Sequence, residues 1–367
     1  MTNQLCFERV AIRGLRNLRA TELPFSSSLN IFVGDNGQGK TSLLEALCIA
    51  ATGRSFRTEQ LREVVQTGMP GFGVLATLVD DGLSRAQQVA YADNRRQVFV
   101  DRKRVSKVSA FAVRAPIVVF SPSDLELVTG PAATRRNLLD RIAIYTDPLA
   151  QDCRLAYARA LRHRQLLLDK SDSDQKALPA FETILAEQGL RYAQAHSKAA
   201  LALCQFLQES FAELSSNSLN LEAHFVGMPI TDEATYRREL ADRRTSDRRR
   251  GRATLGPHRD ELQLSLEGRS ARHHASQGQQ RLLALALKLS ELRCIEAARQ
   301  AYPILLLDDV ASELDLLRTG SVFEWLRDAP NQVFLTTPRP DLLQDLQLGR
   351  TEQRKFSVIE GQIQATE

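Results

Sequence analysis

The sequence predicts an α/β fold: a mixed sheet with helices, built around a phosphate-binding turn and split by a mainly helical insert. Three observations carry this. A short apolar run, Leu29 to Val33, leads into Gly34-Asp35-Asn36-Gly37-Gln38-Gly39-Lys40-Thr41 and then into helix-forming Ser42 to Leu47. A second apolar run, Ile304 to Leu307, delivers Asp308 and Asp309 at its end. Between them, residues 126–251 carry mostly helical periodicity. A split head from residues 1–125 and 252–367, with an arm at 126–251, is therefore expected.

Composition sets the outer bounds. A chain of 367 residues buries a sizeable core and suits two lobes. The 43% hydrophobic and 25% charged content is that of a soluble globular protein. No apolar run reaches about 18 residues, so no membrane span is expected. The N-terminus lacks a signal-peptide core. Cys6, Cys48, Cys153, Cys204 and Cys294 are scattered without a C-x-x-C pair. That argues against a zinc site or disulfide framework and for a reducing cytoplasm. The net charge of +4 is compatible with nucleic acid without requiring it. Most basic residues are arginine, which suits phosphate contacts or reflects a biased composition.

Taken in order, Leu5 to Arg13 alternates as a strand, Gly14 to Leu18 is a turn, and Ala20 to Phe25 is a second strand. Leu29 to Val33 is the third. The following glycines let backbone N–H groups converge on an anion, and the next helix adds its positive end. Lys40 supplies charge for the terminal phosphates, and Thr41 is placed to ligate Mg2+. The helix runs to about Ala51 and ends at Gly53. Arg54 and Arg57 then lie on a linker, touching phosphate of ATP or DNA or simply solvated. Residues 73–79, 86–92 and 97–100 read as an antiparallel meander, with Arg102, Lys103 and Arg104 as a modest basic patch. Pro116 to Phe120 is a buried-type strand ending at Ser121 to Asp124.

The insert begins with a helix after Gly130-Pro131. Asp147-Pro148 starts another, running to about Asp169. Ser171 to Gln175 is a polar loop. Pro179 opens a long helix whose apolar face carries Phe181, Ile184, Leu185, Tyr192, Leu203, Phe206 and Phe211. These two form an αα-hairpin too short for a long coiled coil. Asn220 to Val226 is a strand and Asp232 to Arg244 a helix. Arg248, Arg249 and Arg250 form the strongest basic run, either a DNA-phosphate contact or a solvated loop between lobes.

Ser276-Gln277-Gly278-Gln279-Gln280 precedes the helical run Leu282 to Leu292, making an anion site or an ordinary N-cap. Asp308 would hold Mg2+, and Asp309 would orient or deprotonate the attacking water. Ser312-Glu313-Leu314-Asp315 follows. Gln332 to Thr337 is a strand ending at hydroxyls.

The phosphate loop, the S-x-G-Q-Q helix start, the aliphatic-Asp-Asp strand and S-x-L-D in this order resemble the ABC-type ATPase superfamily, in its SMC and Rad50-like branch. Gly251-Arg-Ala-Thr-Leu-Gly-Pro-His-Arg-Asp-Glu261 and Phe120-Ser-Pro-Ser-Asp124 narrow the likeness to the RecF family of bacterial recombination-repair ATPases. The resemblance implies an ABC-type head with ATP and Mg2+ bound, and it places Arg16 and Asn17, otherwise plain turn residues, near the nucleotide with Ser42. It implies an ATP-driven homodimer in which Ser276, Gln277, Gly278 and Gln279 complete the site of the other copy. It further implies binding of double-stranded or gapped DNA, and action with RecR and RecO to load RecA on single strands coated by single-strand-binding protein. Recombinational repair, replication-fork recovery and the SOS response are the expected setting. Hydrolysis would be weak, DNA-stimulated and used as a switch that releases the dimer.

Departures from the pattern are Asp309 where many ABC ATPases have Glu, which suggests slow hydrolysis, and Thr336 or Thr337 where many have His. Glu261 replaces a second Asp. No glutamine is assigned to a Q-loop. His258 and Arg259 either touch phosphate or tie the two lobes together. Two other classes share parts of the pattern: a transport-type ABC ATPase subunit, and a structural adaptor stabilised by nucleotide.

Overall fold

The computed structural model describes residues 3–106, 108–147, 149–169, 176–215, 219–309, 330–339 and 352–366. Ser312 to Asp315, Ser171 to Gln175 and Pro148 lie outside them. The chain divides into two compact units, one of residues 1–124 with 295–367 and one of residues 125–294. The sequence placed the return to the head at residue 252. By contacts, residues 252–294 group instead with the insert, because Glu261–Leu266 pairs with the insert strand Leu221–Val226 and Leu282, Leu283 and Leu287 join its apolar core.

The first unit opens with β1 (Asn3–Arg13) and β2 (Thr21–Pro24), which pair antiparallel. Then come β3 (Leu29–Val33), α1 (Lys40–Thr52), β4 (Gly71–Asp80), β5 (Leu83–Ala92), β6 (Arg95–Val100), β7 (Lys103–Arg104), α2 (Val108–Ala112) and β8 (Ile117–Phe120). The strands β4, β5 and β6 form the expected meander, β7 extends it, and β4 joins it to β1. Simple alternation in β1 would put Arg9 inside with Leu5 and Phe7. The register slips between Phe7 and Arg9, so Val10 and Ile12 turn inward and Arg9 faces water.

The second unit contains α3 (Glu126–Thr129), α4 (Ala132–Thr146), α5 (Ala150–Leu168), α6 (Leu178–Ser215), β9 (Leu221–Val226), α7 (Glu233–Asp242), α8 (Arg244–Arg250), β10 (Glu261–Leu266), β11 (Arg269–Ser270), α9 (Ala271–His274) and α10 (Gln277–Arg299), the last crossing the unit boundary. The strands form a three-stranded antiparallel sheet in the order β11-β10-β9. Along α6, Leu185, Tyr192, Leu203 and Phe211 are buried as the periodicity requires, but Ile184 is exposed. The helix expected over 232–244 ends at Asp242, and Arg248 to Arg250 form the last turn of α8 rather than a loop. Arg164 explains this. Its buried guanidinium holds Glu182, the Leu240 carbonyl and Asp247, and Asp247 in turn accepts from the Thr254 N–H and hydroxyl. A fully buried carboxylate thus pins α8 from within the insert.

The chain re-enters the first unit with β12 (Ala301–Tyr302), β13 (Ile304–Asp308), β14 (Val333–Thr337), β15 (Gln353–Ile359) and β16 (Gln362–Thr366). A six-stranded sheet runs β16-β15-β3-β14-β13-β8, parallel from β15 to β8. The strand β3 is buried on both faces, as a continuous apolar run in a parallel sheet should be. Under it, Phe32 stacks on Phe356 at 4.8 Å between ring centres, and Phe25 meets Phe334 edge-on at 4.9 Å. Gln332, fully buried, sews this sheet to β1. Its oxygen accepts from the Phe7 N–H at 2.7 Å, and its amide donates to the Phe7 and Ser26 carbonyls.

Candidate nucleotide-binding site

The strands β3, β13 and β14 are parallel neighbours, so all three deliver their C-terminal ends to one edge of the sheet. That edge carries the phosphate loop, Asp308 and Thr336 together. The loop turns into α1 through Gly39, whose φ of +116° is open to glycine alone without strain. The exposed residues Asp35, Asn36 and Gly37 form its rim. The helix ends as expected, with the Gly53 N–H donating to the Ile49 carbonyl.

Lys40 is buried, and its ammonium donates to the carbonyls of Gly34 and Asp35 at 2.6 and 2.9 Å. Burial lowers its pKa, while Asp309, Asp308 and Asp35 pull the other way. The Thr41 hydroxyl donates to Asp308 Oδ1 at 2.8 Å. Burial raises the Asp308 carboxyl, and the Thr41 and Thr336 hydroxyls oppose that rise. A buried carboxylate beside a hydroxyl on the first turn of the loop helix is a hard-oxygen pair. It fits Mg2+, an ion that takes one or two protein oxygens and completes its shell with substrate phosphate and water. Asp309 follows at the strand end with φ +51°.

The turn before the loop is part of the same assembly. Asn17 donates to the Gly37 carbonyl at 3.0 Å and accepts from the Ser42 hydroxyl at 2.9 Å. The Arg16 guanidinium grips Glu45 of α1 at 2.8 and 2.9 Å and donates to the Glu63 carbonyl. Glu45 also accepts from the Ser55 hydroxyl and, at 3.5 Å, from Arg57. Arg57 is exposed, as expected of the linker, while its tip lies 3.5 Å from this fully buried carboxylate and its charge opposes the rise of Asp308. Arg54 remains exposed, as do Arg102, Lys103 and Arg104 at the β6–β7 turn and Arg248, Arg249 and Arg250 on α8.

Two contributors escaped the sequence reading. Glu45 was visible as a lone charge in an apolar helix, four residues after Thr41. The β15–β16 turn was visible as Glu360-Gly361 between alternating residues. That turn packs on the loop: the Glu360 N–H donates to the Gln38 side chain, the Gly361 N–H to the Gln38 carbonyl, and the Arg19 N–H to the Gly361 carbonyl. A Cβ on Gly361 would lie 1.9 Å from the Asn17 carbonyl oxygen.

In the second unit, Ser276 and Gln279 form a capping box. The Gln279 N–H bonds the Ser276 hydroxyl, and the Ser276 N–H bonds the Gln279 side chain. Ser276 and Gln277 are exposed. The Gly256-to-Glu261 segment is built into the insert. His258 Nδ1 meets the Tyr157 hydroxyl at 2.6 Å, Asp260 holds His196 and the Met228 N–H, and Glu261 pairs with Arg135. Of the two readings of His258, a tie holds, but among elements of the insert. Arg259 stays exposed.

Residues 6–355 match the family described as RecF/RecN/SMC N terminal domain. A DNA replication and repair protein RecF from Myxococcus xanthus is 37% identical over 337 residues, covering 89% of each chain. The chain belongs to the RecF family. Another RecF, from Heliobacterium modesticaldum, is 34% identical and spans 94% of this chain and 95% of its own. A solved structure of the recombination mediator protein RecF with ATPrS, in the RecFOR pathway, superposes with a TM-score of 0.88 at 27% identity, covering 100% of both chains. The RecF-type ABC ATPase head expected from the motif order is therefore the fold of this chain.

Proposed function

We propose that this chain is an ATP-dependent DNA-binding protein of recombinational repair and replication-fork recovery. The observation that carries the reading is the Thr41–Asp308 hydrogen bond beside Lys40 at the mouth of a glycine loop, in a chain of the RecF family. ATP phosphates would sit against the loop N–H groups, with Lys40 released from its carbonyls toward them. Thr41 and Asp308 are the groups that would hold Mg2+, which neutralises charge on the phosphates when bound. Asp309 would orient the attacking water, and its short side chain suits slow turnover.

Exposed Ser276 and the N–H groups at the start of α10 would face the γ-phosphate held by a second copy. Each copy then carries half of two sites, so ATP drives a two-fold dimer by mass action, and hydrolysis loosens it. Weak ATPase activity acts as a release timer. The closed dimer would bind double-stranded DNA or a single-strand to double-strand junction and work with RecR and RecO to place RecA. Arg54, Arg102, Lys103, Arg104, Arg248, Arg249 and Arg250 are candidates for phosphate contacts. Titrating a gapped duplex across a salt series with ATP and with ADP tests the reading. A steep negative dependence on salt with ATP alone is expected. Equal binding with both nucleotides would overturn the switch.

A further inference from the structure

Thr336 lies on β14 directly across from Asp308 of β13, and it is fully buried. Its hydroxyl has one proton to give. Asp308 Oδ1 lies at 2.9 Å and the Leu307 carbonyl at 3.4 Å, so the nearer, charged oxygen takes it. The same hydroxyl oxygen accepts the Asp309 N–H at 3.1 Å. One side-chain oxygen therefore joins the carboxylate of the first acid to the backbone of the second. Asp309 itself stands at φ +51°, in the left-handed region that Asp enters more readily than most side chains, and its N–H bond to Thr336 anchors it there.

We propose that Thr336 is the positioning residue for the Asp308–Asp309 pair. It aims the Asp308 carboxylate at Thr41 and fixes the left-handed turn that swings the Asp309 side chain off the strand. This rests on the reading that Asp308 holds the metal and Asp309 serves water. It differs from a role in touching the γ-phosphate, because the hydroxyl is fully buried and its single proton is already given to Asp308, leaving none for a phosphate oxygen. The two threonines divide the work: Thr41, half-exposed at the helix start, is open to a metal ion, whereas Thr336 keeps its bond to Asp308 whether or not an ion is present.

The test compares Thr336→Val, which keeps shape and β-branching without the hydroxyl, with Thr336→Ser, which keeps the hydroxyl. Mn2+ binding in the presence of ADP is followed by electron paramagnetic resonance, alongside kcat and KM for ATP. For Thr336→Val, Mn2+ affinity and kcat each fall about tenfold, the loss expected for a hydrogen bond to a charged group, while KM stays within about twofold. Thr336→Ser recovers both to within about threefold. If Thr336→Val does not fold, Thr336→Ala against Thr336→Ser makes the same comparison. Parental Mn2+ affinity and turnover in Thr336→Val would overturn the proposal. So would equal impairment in the serine variant, which would assign the effect to the methyl group. Absence of nucleotide-dependent Mn2+ binding in the unaltered protein would instead sink the assignment of Asp308, and this proposal with it.

Discussion

Lys40 meets a choice that only a ligand resolves. With its ammonium on two backbone carbonyls, it is satisfied but partly desolvated, and phosphate oxygens offer stronger, charge-assisted partners. Lys40→Met should weaken ATP binding at least about a hundredfold, ~2.7 kcal/mol, by isothermal titration calorimetry, with the fold intact by circular dichroism. Glu45 makes a different kind of prediction. It is fully buried under Arg16. Glu45→Ala strands that arginine and should cost about 3 kcal/mol, read as a lower urea midpoint with an unchanged slope. His196 predicts a pH effect. It lies fully buried between Asp140 at 3.1 Å and Asp260 at 3.0 Å. Burial disfavours the charged ring, but the two carboxylates outweigh it and raise the pKa above the ordinary 6.5. A raised folded-state pKa gives stability that is complete below about pH 6.5 and is lost as pH rises through the folded value. Urea melts between about pH 6 and 9 should show that decline, and His196→Gln should flatten it. Glu291 supplies the acid limb. Burial opposes its charge, yet Arg141 and Lys288 hold it down to about 2, so its contribution fades as pH falls from about 4.5 toward that value.

Among the elements, the β15–β16 hairpin does more than close a sheet edge. Its strand lies beside β3, and its turn is bonded to Gln38 and Arg19. Gly361→Ala, with positive φ and no room for a Cβ, should push Asn17 off Gly37 and weaken ATP binding about tenfold. Calorimetric affinity equal to the parent's would show that the loop holds its shape without the turn. The hairpin carried only a faint sequence signal, since its strands alternate over just a few residues around Glu360-Gly361, Phe356 and Val358 facing in and Lys355 and Ile359 out. What was legible was local. The run Leu29 to Thr41 carries apolar residues, turn glycines and helix formers in series, and each fits the backbone it adopts. The meander was equally plain from its Asp-Gly and Asp-Asn turns. What failed was set by distant partners. The last turn of α8 depends on Asp247 reaching Arg164. The two bonds from Arg16 to Glu45 join residues 29 apart in sequence. The inward switch in β1 depends on a register slip that no alternation announces.

For the molecule as a whole, the motif order was informative because it fixes which strands must be neighbours. A phosphate loop and an acid strand serve one nucleotide only if both end at the same sheet edge, and they do. The extent of the arm was not legible, since β10 and most of α10 read as head until their contacts assign them to the insert. Two variants test the proposed dimer. Ser276→Arg should leave ATP binding by the monomer within about twofold and abolish ATP-dependent dimerisation in analytical ultracentrifugation. A normal dimer from this variant would remove Ser276 from the composite site. Asp309→Asn should bind ATP, slow hydrolysis by about a hundredfold and persist as a dimer on DNA. Rapid turnover would show that another group serves the water.

The neighbours of β3 have a consequence for how the chain is made. The strand leaves the ribosome early, but the strands on both its sides, β14 and β15, come from residues 333–337 and 353–359. At ~5–20 residues per second, a nascent chain holds this apolar segment without its partners for roughly 15–65 s. The insert, whose contacts close among residues 125–294, emerges complete in the meantime. Synthesis therefore leaves an apolar strand waiting for its neighbours while the residues of the insert are completed. A ribosome that stops between β14 and β15 yields a product with the phosphate-loop motif whose β3 is paired on one side only.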